Sequence, residues 1–144
     1  AGLYACVADF APLTAQEING ADDSFPSRTQ IGDLAEAMVH VDERWESLKL
    51  AKAAGWTKIP DHPDIDPAHE ALMVREVFTE LARSKKKWPD DFAKANADME
   101  KAATELEAAI RAGDAAAANT AFGAGGAACK ACHGEYRNTT GALK

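Results

Sequence analysis

The sequence has no run of apolar residues approaching the ~20 needed to cross a bilayer. It is poor in aromatics, with three Trp, two Tyr and five Phe, 7% of 144 residues. It is also short of cations. Sixteen Lys plus Arg face 23 Asp plus Glu, a formal net charge of −7 at pH 7. That deficit excludes the basic surface on which nucleic-acid binding depends and opposes docking on anionic lipid. The length suits one domain and not two. What is present is alanine, together with 47% hydrophobic and 27% charged residues, a globular balance. An alanine-rich, acidic, aromatic-poor chain points to helices, and to a core filled in part by something other than side chains.

Cysteine is scarce as well, at three: Cys6, Cys129 and Cys132. The last two fall in Cys129-Lys130-Ala131-Cys132-His133. Two thiols three residues apart on a helix project to one face. There they can form thioethers with the two vinyl groups on one haem edge, while the adjacent histidine offers its imidazole to the iron. The rival readings are weaker. A zinc site needs two more ligands at comparable spacing, and His40, His62 and His69 form no clear cluster with the pair. A thioredoxin-like dithiol expects a preceding strand, and none is indicated. The expected cofactor is therefore one covalently attached haem c. The chain opens Ala-Gly-Leu-Tyr-Ala, with neither a basic stretch nor an apolar export segment. Covalent haem coupling takes place outside the bacterial cytoplasm, so the expectation is an exported, periplasmic protein with Ala1 as a mature terminus.

The spacing predicts four helices after an N-terminal extension, residues 1–27, that is rich in turn formers. Residues 28–144 form the haem-binding bundle. Ile31, Leu34, Met38, Val41, Trp45 and Leu48 are spaced 3, 4, 3, 4, 3, a narrow apolar seam that predicts a helix from Arg28 to Ala54. A proline-punctuated loop follows at 55–66. Asp66-Pro67 caps a second helix that runs to Lys86, with Val74, Val77 or Phe78, and Leu81 inward. Trp88-Pro89 ends it. A third helix starts at Asp90 or Asp91 with the seam Phe92, Ala95, Met99, Ala102, Leu106, Ala109, and stops at Gly113. The fourth, capped by Asp114, carries Ala115, Ala118, Phe122, Gly125, Cys129, Cys132 and Tyr136 on its seam. Gly123, Gly125 and Gly126 cost ~1 kcal/mol each inside a helix. Their compensation is expected to be the close approach of something large just before the haem motif. The fold class is thus all-α, an antiparallel four-helix bundle.

A haem motif near the C-terminus, continued as His133-Gly134-Glu135-Tyr136-Arg137 on the last of four helices, resembles the class II c-type cytochromes, the cytochrome c′ group. The resemblance spans about residues 28–140. It implies that Cys129 and Cys132 hold the haem and that His133 is the proximal ligand. It also implies that Arg137, one turn on, lies beside the haem; a bland alternative is a cation placed favourably near a helix C-terminus.

In that family the sixth coordination position comes from the first helix, apolar in gas-binding members and methionine in electron carriers. Met38 sits on the first seam, where core packing is the ordinary role of a methionine. His40 lies about 200° around the helix from Met38 and should face away. Cys6 is the other candidate. A free thiol outside the cytoplasm is an oxidation liability, and a thiolate on ferric iron is one reason to keep it. Inert burial, an intermolecular disulfide and a lipid anchor are the others. The extension carrying Cys6 is similar to that of the His/Cys-ligated, dimeric class II cytochromes of anammox bacteria, which bind NO and CO.

Two functions follow from these resemblances. One is a non-enzymatic cytochrome that binds NO and CO; the other is a one-electron carrier with a six-coordinate haem. Partners would be the gases, a redox protein, or both, and a homo- or heterodimer formed across the first two helices. Lys85-Lys86-Lys87 reads as a solvated helix end or a patch for an acidic redox partner. His62 and His69 read as surface residues. Trp45, Trp56 and Trp88 read as core or haem-pocket wall. No Ser/His/Asp set, catalytic carboxylate pair or phosphate loop accompanies the fold, so no enzymatic activity is expected.

Overall fold

A computed structural model describes Thr14, Gln16 and residues 34–84 and 87–138 of the chain. Four helices follow one another: α1 (Leu34–Ala53), α2 (Pro67–Arg83), α3 (Asp90–Ala112) and α4 (Ala115–Tyr136). Among the described residues the only pairing of the extended kind is an isolated bridge between Ile59 and His62 in the α1–α2 loop. The architecture is an all-α four-helix bundle. The extension at 1–27, except Thr14 and Gln16, and the proposed first turns of the first helix at 28–33 lie outside the described residues.

Local chemistry sets the boundaries. α1 stops because Gly55 takes a left-handed φ of 69°, with Gly55 N–H on the Lys52 carbonyl and Trp56 N–H on the Ala51 carbonyl. Trp56 shares the left-handed region at φ 65°, unusual for a side chain of that size. Its burial and a 3.2 Å hydrogen bond from its indole N–H to Asn119 Oδ1 of α4 hold it there. The Asp66 carboxylate caps α2 by accepting from Ala68 and His69 N–H, with Pro67 in the first turn. α2 ends at Arg83, three residues before the expected Lys86. Ser84 is extended, and the Trp88 indole occupies the Leu81 carbonyl at 2.9 Å. Gly113, at φ 70°, closes α3, and Asp114 caps α4 through Ala117 N–H.

The seams pack largely as their spacing requires. Leu48, Val74, Leu81, Met99 and Leu106 are the largest fully buried side chains. Three seam positions are shifted by one: the buried residues are Ala37, Asn96 and Ala121, whereas their expected neighbours Met38, Ala95 and Phe122 are half-buried. Asn96 Nδ2 donates to the Phe78 carbonyl of α2 at 2.9 Å, which accounts for a polar residue in the seam. Its Oδ1 has no hydrogen-bond partner among the described residues. A second buried polar residue, Glu70 of α2, meets Arg44 of α1 at 3.3 Å. Backbones approach closely between consecutive helices. α1 reaches α4 by large side chains instead: the Trp45 ring stacks on Phe122 with centroids 4.3 Å apart, and Trp56 tilts against the same ring.

Candidate haem-binding site

α4 carries Cys129 and Cys132 on the side that faces the bundle, and both are half-buried free thiols. Cys129 joins the core, with its Sγ 3.8 Å from Met99 Sδ of α3. One turn earlier the helix presents Gly125. A Cβ there would lie 2.9 Å from Trp45 Cη2 and 3.3 Å from Met99 Sδ and Cε. The large group expected against the glycines is thus Trp45, and only Gly125 needs it. Gly123 and Gly126 have nothing within 4 Å of a built Cβ.

His133 follows Cys132 on the exposed side of the last turn, and its imidazole makes no hydrogen bond to the described residues. Tyr136, at the end of that turn, donates its phenol to Asp91 Oδ1 in the first turn of α3. Its ring meets Phe92 edge-on, 5.6 Å between centroids at 85°. This hydrogen bond lowers the Asp91 carboxyl below its ordinary range and pushes the Tyr136 phenol up to about 12. Arg137 is exposed just past the helix, where its N–H bonds the His133 carbonyl at 3.3 Å.

Loss of water around the sulfurs raises both thiols above the ordinary cysteine value, with Cys132 adding to the effect on Cys129 and Asp91 to that on Cys132. Both are therefore S–H groups at neutral pH. That chemistry suits addition across a vinyl group and is poor for a metal, which binds thiolate. Among the described residues no three His, Cys, Asp or Glu side chains cluster to hold a metal ion.

At the matching end of α1, Leu34 and Met38 are half-buried against the core. His40 is exposed beside Glu43, as its angular position required. His62, His69 and Lys87 are exposed too. Cys6, Lys85 and Lys86 lie outside the described residues. Sequence reasoning missed two neighbours of the site, Met99 against Cys129 and Asp91 against Tyr136. Both are contacts between antiparallel helices, and only the helix register reveals them.

Residues 75–137, from α2 to just past α4, match a family model described as Cytochrome C'. Over this stretch, just under half of its length, the chain is similar to the cytochrome c′ family. Searches of curated proteins and of solved structures returned no significant match. That likeness supports a class II c-type cytochrome that binds haem. Cytochrome c′ proteins bind gas ligands, often dimerise and are typically periplasmic. Among the described residues no helix is long and apolar enough to cross a membrane. A cytochrome c′ haem suits the residues present: two protonated thiols one turn apart on an inward face, an imidazole beside them, and an apolar surround of Met99, Phe92 and Ala128.

Proposed function

We propose that the protein is a non-enzymatic, extracytoplasmic monohaem cytochrome that binds NO and CO. A haem held here supplies an iron at which a diatomic gas can bind. Cys129 and Cys132 anchor it through thioethers, His133 is the proximal ligand, and Arg137 lies beside the ring. The carrying observation is the pair of half-buried, protonated thiols on the inner face of α4, with His133 next in sequence. Met99, beside Cys129, gives the site an apolar wall that favours a small neutral ligand over a charged one.

Cys6 is the proposed sixth ligand, as the resemblance to the anammox His/Cys type suggests. A second reading, a one-electron carrier, has one observation in its favour: Met38 of α1 is half-buried against the same core as Cys129. Two measurements decide. Protein matured with haem and then denatured should be heavier than the polypeptide by one haem, and Cys129→Ala with Cys132→Ala should lose that mass. A native mass equal to the bare chain overturns the proposal. Cys6→Ser should change the ferric spectrum. If only Met38→Leu changes it, the carrier reading replaces the gas-binding one.

A further inference from the structure

The imidazole of His133 is tied to nothing among the described residues, so the backbone turn beneath it sets its direction. That turn is poorly finished. α3 ends on a left-handed glycine with two backbone bonds, Gly113 N–H to Ile110 and Asp114 N–H to Ala109. α4 instead passes into Arg137 still in right-handed helical geometry, with one 3.3 Å bond to the His133 carbonyl. A helix end of that kind frays unless side chains hold it.

The side chain that holds it is Tyr136, three residues after His133 and so its neighbour on the helix surface. Its phenol is on Asp91 and its ring edge is on Phe92. Asp91 Oδ1 also accepts from Phe92 N–H at 2.9 Å, which fixes the carboxylate to the start of α3. Phe92 is buried and packs on Trp88 at 4.6 Å. The Trp88 indole N–H reaches the Leu81 carbonyl and Ser84 Oγ at the end of α2. The last turn of α4 is therefore moored through α3 to the end of α2.

We propose that Tyr136 and Asp91 are positioning residues for the proximal ligand, holding the turn of α4 that carries His133 and so setting how the imidazole meets the iron. The inference rests on the assignment of His133 above. Metal-ligating histidines are oriented by groups outside the coordination sphere. Here that work is done through the backbone.

The test compares the haem-loaded full chain with Tyr136→Phe, which keeps the ring and removes the phenol, and Asp91→Asn, which keeps an acceptor oxygen without the charge. Three readouts are taken: the iron–histidine stretching band of the ferrous protein, the midpoint potential, and amide hydrogen exchange over residues 133–137. Tyr136→Phe should shift or broaden the band, move the potential and speed that exchange several-fold, and Asp91→Asn should do so partially. Band and potential unchanged in both variants overturn the inference, even if the melting temperature falls, since that is a merely structural effect. If Tyr136→Phe fails to fold, Asp91→Asn alone decides on the same criteria. Wild-type protein that carries no haem overturns the functional reading and this inference together. Loaded wild type with unchanged variants overturns only the inference.

Discussion

A phenol that donates to a carboxylate gives up its proton reluctantly, and Tyr136 carries that signature. Its deprotonation is expected near 12, against about 10 for a free tyrosine. Ultraviolet titration of a Tyr4→Phe background isolates this one phenol, and Asp91→Asn should bring it back toward the ordinary value. The sign of the linkage follows for each partner. The lowered Asp91 adds stability above the ordinary carboxylate range, lost as pH falls through its depressed value. The raised Tyr136 adds stability below about 10, lost as pH rises through about 12. Glu70 is a different kind of residue: its side chain is 6% exposed and faces Arg44 alone across α1 and α2. Arg44→Ala leaves that carboxylate buried without its cation and should cost about 2 kcal/mol in urea unfolding. Because Arg44 is itself 39% exposed, the loss should fall below that of a fully buried pair.

Among the elements, α4 is the one whose glycines separate two roles. Gly123 has open space where a side chain would go, so Gly123→Ala should stabilise the helix by about 0.5–1 kcal/mol. Gly125→Ala drives a methyl into Trp45 and Met99 and should destabilise by about 1–3 kcal/mol. Thermal melts of the two variants should therefore move in opposite directions. Much of this element level was legible beforehand. Seam spacing, Asp66-Pro67, Gly55, Gly113 and Asp114 mark the helices because caps and periodicity are local chemistry. The glycine cluster signalled a close approach without naming Trp45 as the partner, since that depends on the register of α1 against α4. For the same reason Ala95 looked inward where Asn96 is buried: the Phe78 carbonyl that receives its amide belongs to another helix. Of the site, the haem motif stood out in five residues, whereas Asp91 and Met99 were invisible until the antiparallel helices were set side by side.

At the scale of the whole molecule, the described residues leave two large apolar side chains in water, both on α1: Val39 at 56% and Leu50 at 43% exposure. They lie three turns apart on one face of the helix. If the family habit of pairing extends to this chain, that face belongs to the interface. Sedimentation of wild type should then give a dimer at micromolar concentration, and Val39→Glu with Leu50→Glu should shift it to monomer. A monomeric wild type would reject the pairing. The gap between α1 and α4 has another outcome. Because Trp45 rather than backbone closes it, an indole sits against Gly125, one helical turn or about 6 Å along the axis from Cys129. A light-emitting ring that near to an intensely absorbing porphyrin is quenched by energy transfer. The unloaded chain should glow and the loaded one should be dark. The protein thus carries its own optical gauge of maturation, readable in real time without any added dye.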